Sequence, residues 1–187
     1  MSMHRSAKSS WATSSVGLLA ASVLALTHSD PVQAQTSVTT CAGTAQVQFL
    51  PGLTLVPQYT TTVFNESYGT CTSTSQPAIA SATNRRKEPG NRSCVTLLDT
   101  SPGPIVETVN WNTGQSSTFE YTRAVTTVGG VMQVTGTGMV TDGLFQGASV
   151  VKIQVLANLD PFQTLACLTP AGLTGTSGTT SLTFTQL

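Results

Sequence analysis

Past residue 34 the chain keeps few of the side chains that usually run catalysis. Its two histidines are His4 and His28, both ahead of that point, so a Ser-His-Asp or Cys-His nucleophile has no base to activate it. A zinc site built on imidazole is unavailable for the same reason. No GxSxG, Walker-type or dinucleotide-binding glycine pattern lies at a strand–helix junction. Carboxylates remain, and two of them about 5–9.5 Å apart could cleave a glycosidic bond. Glu107 and Glu120 are the nearest approach to such a pair, but strand alternation sends them to opposite faces. Asp142 stands in the turn sequence Asp142-Gly143, where its backbone preferences explain it. The sequence therefore reads as non-catalytic, and no catalytic residue, metal or cofactor is expected.

Cys41, Cys71, Cys94 and Cys167 lack the tight spacing of a metal centre, and in a secreted chain they read as two disulfides. Of the three pairings, Cys71–Cys94 with Cys41–Cys167 is preferred: the first would staple a polar loop and the second would join early and late strands. Cys94–Cys167 closing around Trp111 in immunoglobulin style is the competing arrangement. Between the middle two cysteines lies a Ser/Thr/Pro-rich stretch containing Asn84-Arg85-Arg86-Lys87-Glu88-Pro89-Gly90. It reads as a solvated, mobile loop. Arg85, Arg86 and Lys87 make it a candidate interaction loop, of the kind that a serine-protease inhibitor presents. Asn65-Glu66-Ser67 and Asn91-Arg92-Ser93 match the N-glycosylation sequon.

The elements that position these groups are strands. Threonine makes up about a fifth of residues 35–187, and its branched side chain suits a pleated, half-exposed surface. Turn signals recur at Pro51-Gly52, Pro89-Gly90-Asn91, Asn112-Thr113-Gly114, Gly129-Gly130, Asp142-Gly143 and Asp160-Pro161. A two-residue hairpin at Gly129-Gly130 predicts Val128 opposite Val131, Val125 opposite Val134, Tyr121 opposite Gly138 and Phe119 opposite Val140. Apolar residues then line one face and threonines the other. A similar hairpin at Asp142-Gly143 places Val140 opposite Phe145. It turns Val151, Ile153 and Val155 inward, and Lys152 and Gln154 outward. A three-residue loop at Asn112-Thr113-Gly114 adds Val109 and Trp111 to the inner face. Glu107 and Arg123 share that face and read as an ion pair, or as an Arg whose stem is buried while its head reaches water, with Gly136 and Gly138 leaving room for Arg123 and Tyr121. Trp111, Tyr121, Glu107 and Arg123 together form a candidate pocket. Ala45, Val47 and Phe49, then Tyr59, Thr61 and Val63, predict two early strands; Cys94 to Leu98 is a short apolar one, and Leu182 and Phe184 belong to a closing one. The fold class is all-β: an antiparallel, disulfide-stabilised sandwich of eight or nine strands, immunoglobulin-like, with a closed barrel as the alternative.

Eight cations balance eight anions and only 9% of residues are charged, too few cations for a basic nucleic-acid surface. His4, Arg5 and Lys8 precede the apolar run from Val16 to Leu26, which is shorter than the roughly 20 residues of a membrane span and suits a signal peptide. Val32-Gln33-Ala34 offers a cleavage site. Residues 1–34 are thus expected to be a signal peptide and 35–187 a single domain, secreted, extracellular and without a membrane span.

The early Phe49-Leu50-Pro51-Gly52-Leu53-Thr54, the Ser93-Cys94 step, Val109-Asn110-Trp111-Asn112-Thr113-Gly114, the Gly143-Leu144-Phe145-Gln146-Gly147 turn and the late Ala166-Cys167 resemble small secreted proteins of actinomycete bacteria. The resemblance implies an extracellular compartment and an immunoglobulin-like fold, and it assigns no functional residue. The expected function is a secreted, non-catalytic module at or outside the cell envelope. Its partner would be a protein, the cell wall or a small apolar ligand. Protease inhibition through residues 84–90 and carriage of a small apolar ligand are the alternatives.

Overall fold

Strand-forming residues and tight turns arrange the described residues as eight antiparallel strands, each paired with its neighbours in sequence. They are β1 (Ser37–Leu53), β2 (Gln58–Ser73), β3 (Ala82–Arg92), β4 (Ile105–Trp111), β5 (Ser116–Val128), β6 (Val131–Gly143), β7 (Ser149–Ala157) and β8 (Leu173–Gln186), with a 3-10 turn at Val95–Leu98. This computed structural model describes residues 36–98, 103–128, 131–157 and 165–187. The expected signal peptide and the turns at Gly129-Gly130 and Asp160-Pro161 lie outside the described residues. Among the described residues no helix is long and apolar enough to cross a membrane.

The fold is all-β and antiparallel, as expected, and of the two arrangements considered it is the barrel. β1 pairs with β8 from Ser37↔Gln186 to Gln48↔Gly175, which closes the sheet on itself. One continuous sheet has no second layer to pack against, so the immunoglobulin-like sandwich does not form. Closure abolishes the outer edges that would otherwise invite edge-to-edge pairing.

Strands β4 to β6 carry the expected register. Val125↔Val134, Tyr121↔Gly138 and Phe119↔Val140 face each other, Val109 and Trp111 are buried, and Gly114 takes the left-handed conformation with φ 83°. Strand β7 does not follow. Residues 144–148 form a wider turn in which Phe145, at φ 65°, tucks inward, and the ladder resumes at Met139↔Ser149. The shift from the expected pairing is odd in residue number, so it reverses every side chain on β7. Lys152 and Gln154 point in, while Val151 is exposed. Strand β2 departs in part: Tyr59 is exposed and Val63 is buried, while Thr60, Thr62, Glu66 and Tyr68 turn inward. The stretch expected as a short strand from Cys94 instead holds the 3-10 turn Val95–Leu98.

The expected basic loop is strand β3, which pairs with β2 over its whole length, from Tyr68↔Ala82 to Gln58↔Arg92. Its other side meets β4 only at Ala82↔Trp111 and Thr83↔Asn110, after which the side-chain amide of Asn84 donates to the Thr108 carbonyl at 2.6 Å. The upper half of β3 therefore behaves as an edge, where Pro89 costs no ladder bond and charged residues are favoured. Pro, Gly and charge, which mark loops elsewhere, here mark an edge inside a barrel.

The disulfides are Cys41–Cys71 and Cys94–Cys167, which replaces the preferred pairing. Cys41 and Cys71 are direct cross-strand partners on β1 and β2, with Cα atoms 4.1 Å apart, and β3 occupies the stretch that Cys71–Cys94 was to staple. Cys94–Cys167 matches the competing pairing, but its surroundings differ. Cys167 packs with Phe49, Leu53 and Leu173 at one end of the barrel, whereas Trp111 belongs to the cluster at the other. Tryptic digestion without reduction should give Cys41 and Cys71 within one peptide ending at Arg85. It should also give a linked pair, residues 93–123 with residues 153–187. A peptide bridging Cys71 to Cys94 would refute the pairing.

Candidate binding chamber and its charged floor

The interior is layered along the barrel axis. At the lower end, Phe184 packs against Trp111, Phe119 and Phe145 at centroid distances of 5.6, 5.8 and 5.5 Å. The indole N–H of Trp111 donates to Ser117 Oγ at 2.9 Å, so its one polar atom is satisfied. This end is filled.

At the waist, alternation brings one charged residue inward from each of β2, β3, β4 and β7: Glu66, Arg86, Glu107 and Lys152. Lys152 Nζ lies 2.6 Å from Glu107 Oε1 and 2.7 Å from Glu66 Oε1. Tyr121 donates to Glu107 Oε2 and Tyr68 to Glu66 Oε2, each at 2.8 Å, and Gln154 Nε2 donates to Glu66 Oε1. Arg86 Nη1 stands 3.9 Å from Glu107 Oε2. A Cβ on Gly136 would meet the Tyr121 ring at 2.5 Å, so the expected room beside Tyr121 is real and glycine makes it.

Two carboxylates sharing one ammonium do not titrate alike. Burial pushes the Glu66 carboxyl above its ordinary value, against the pull of Lys152 and helped by the nearby charge of Glu107. Burial acts on Glu107 too, but Lys152 and then Arg86 overcome it and hold that carboxyl below the usual range. Burial and the adjacent carboxylates raise both Tyr68 and Tyr121, so the phenols remain neutral donors.

Above the waist lies a chamber of about 60 Å³. Its apolar wall comes from Phe49, Phe64, Val125, Met132, Val134 and Leu156, and its polar wall from Arg86, Arg92, Arg123 and Gln154. The 3-10 segment contributes Thr96 and Leu97, and Cys94–Cys167 ties that segment to the stretch before β8. Thr96 is exposed and Arg92 and Arg123 are half-buried, so the chamber reaches the surface there, beside the upper part of β3. Glu88 takes Arg86 at 2.9 Å and Arg92 at 3.0 Å. The Arg86 guanidinium also lies over the Phe64 ring, 4.3 Å from its centroid. Burial, then the like charges of Arg92 and Arg86, lower Arg123 against the pull of Glu88.

The structure thus divides the expected pocket. Tyr121 and Arg123 line the chamber, Glu107 lies outside its lining in the charged waist, and Trp111 is sealed in the aromatic end. The expected Glu107–Arg123 pair gives way to Glu107 with Lys152, because the β7 register turns Lys152 inward. Of the candidate interaction residues, Arg85 and Lys87 are exposed on the outer face of β3 and Arg86 is inside. Glu66, Tyr68, Glu88, Arg92, Lys152 and Gln154 were missed as site residues. For Glu66 the signal was available: Thr60, Thr62, Phe64, Glu66 and Tyr68 share one parity. An eight-stranded closed barrel with a chamber above a charged waist defines the class of the domain. Comparison with protein-family models, characterised proteins and solved structures finds no match for the chain.

Proposed function

We propose that the domain is a secreted, non-catalytic binding module that holds one small, mostly apolar molecule in the upper chamber. The observation that carries this reading is the uneven filling of the barrel. Eight strands enclose an interior that side chains either fill or leave open to one small ligand. Here the aromatic residues fill the lower end, while apolar walls with a few convergent polar groups surround an opening above. Such a lining is the usual form of a small-molecule site. The chamber of about 60 Å³ is smaller than the roughly 150 Å³ cavity that holds a benzene. The ligand is therefore small, or it displaces the half-buried Arg92 and Leu97 at the mouth. Two features support a non-catalytic reading: Glu66 and Glu107 are both bound to Lys152 and to a phenol. Two disulfides suit an oxidising, extracellular compartment.

Calorimetric titration with a panel of monocyclic aromatic and short aliphatic compounds tests the proposal. At least one should bind saturably with a negative heat-capacity change, and Val134→Phe, which fills the chamber from β6, should abolish binding without unfolding the barrel. Absence of saturable binding across the panel, or binding undiminished in Val134→Phe, would contradict it.

A further inference from the structure

The charges inside the barrel are matched, so they do not select a ligand; the hydrogen-bond donors of the chamber do. Lys152 binds Glu66 and Glu107, and Glu88 takes Arg86 at 2.9 Å and Arg92 at 3.0 Å. Arg123, half-buried where the chamber reaches the surface, is engaged as well. Arg86, Arg92 and Thr62 all line the chamber. Arg86 Nε, Arg92 Nε and Thr62 Oγ1 are each buried without a hydrogen-bond partner among the described residues, and Thr62 as a whole is only 2% exposed. Thr62 stands directly opposite Glu88 on β3, the carboxylate on which both arginines converge, and opposite Phe49 on β1. The three groups are therefore gathered where the polar wall meets the apolar one. Polar atoms buried without a partner are costly.

Building on the chamber reading, we infer that the ligand is a neutral molecule with a carbonyl oxygen on an apolar body, such as a small ketone or lactone. An Nε–H can only donate, and a threonine hydroxyl can donate as well as accept, so an acceptor is the one group that suits all three. A carbonyl oxygen has two lone pairs and takes two such donors at once. Bonds from the guanidiniums are strengthened by their charge. The apolar body then rests against Phe49, Val134 and Leu156, which line the same space. An anion in this place would meet the carboxylate of Glu88, and a cation would meet the guanidiniums of Arg86 and Arg92. A neutral acceptor leaves the existing ion pairs intact, and a hydrocarbon would leave the donors buried and unpaired.

The test compares cyclopentanone, cyclopentane, cyclopentanecarboxylate and cyclopentylamine by calorimetric titration of the intact domain. Cyclopentanone should bind at least about tenfold tighter than cyclopentane, and the carboxylate and the amine should not bind. Thr62→Val keeps the shape of the side chain and removes the hydroxyl. Arg92→Lys keeps the charge facing Glu88 and removes the Nε–H. Each should weaken cyclopentanone about fivefold and leave cyclopentane nearly unchanged, with far-ultraviolet circular dichroism confirming that the variants fold. Equal affinity for cyclopentanone and cyclopentane, unaffected by Thr62→Val, would overturn the carbonyl inference while the chamber reading survived. Carboxylate binding tighter than the ketone would overturn the neutrality of the ligand. Silence from cyclopentanone and cyclopentane alike would count against the chamber itself.

Discussion

Replacing Lys152 with methionine should destabilise the barrel by about 3–5 kcal/mol at neutral pH, the usual cost of stranding a buried charge. Lys152 is only 2% exposed and contacts both Glu66 and Glu107 within 2.7 Å. Methionine would fit the space, so the loss would be electrostatic: Glu107 would keep Arg86 at 3.9 Å but lose its closest cation. The pH dependence distinguishes this from a packing defect. In the native protein Glu107 sits below its ordinary value. Its contribution is therefore present above the ordinary carboxylate pKa and disappears as pH falls through the lowered folded one. In Lys152→Met the carboxyl rises instead and accepts a proton readily. The stability gap should thus be widest at about pH 7 and shrink towards about pH 4. Glu66 has the opposite sign, being raised by burial, so Glu66→Gln should cost less than Glu107→Gln. Urea unfolding of the native protein and the three variants at both pH values measures all of this. A Lys152→Met cost below about 1 kcal/mol, or one independent of pH, would contradict the central role given to Lys152.

Phe184→Ala should be comparably damaging, at about 3–5 kcal/mol. Phe184 is 1% exposed and touches Trp111, Phe119 and Phe145, each with ring centroids within 5.8 Å. Removing it opens a void where three strands and the 144–148 turn meet, and the closed wall limits how far neighbours can collapse into it. Trp111 is the one tryptophan of residues 35–187, so its emission should shift to the red as water reaches the indole. A cost under about 2 kcal/mol with unchanged emission would mean that the lower end is not the tightly packed plug described.

Legibility in the sequence followed the locality of the signal. The β5–β6 register could be read because the paired residues flank one hairpin and alternate without interruption from Phe119 to Val140. The β6–β7 register could not, because it depends on Phe145 adopting a positive φ, which a bulky residue rarely does. That single turn concealed Lys152, and with it the partner of Glu107. Closure through β1 and β8 pairs Ser37 with Gln186, a contact between chain ends that no local pattern encodes. The Cys41–Cys71 bridge follows from the β1–β2 register, and that register was not read. In β3, Pro89, Gly90 and the cations carried a loop signature, and only the divergence from β4 shows why an edge tolerates them. The candidate pocket was half visible: Tyr121 and Arg123 share the chamber, while Trp111 follows the same alternation to the opposite end.

Methyl nuclear magnetic resonance during titration with the tightest-binding compound of the calorimetric panel tests most directly that the upper chamber, and not the aromatic end, receives a ligand. Val125, Val134, Leu156 and Leu173, which line the chamber, should shift together and saturate. Val109, Val140 and Leu182, buried in the lower cluster, should stay in place. Shifts confined to the lower cluster, or none that saturate at the chamber methyls, would contradict the account.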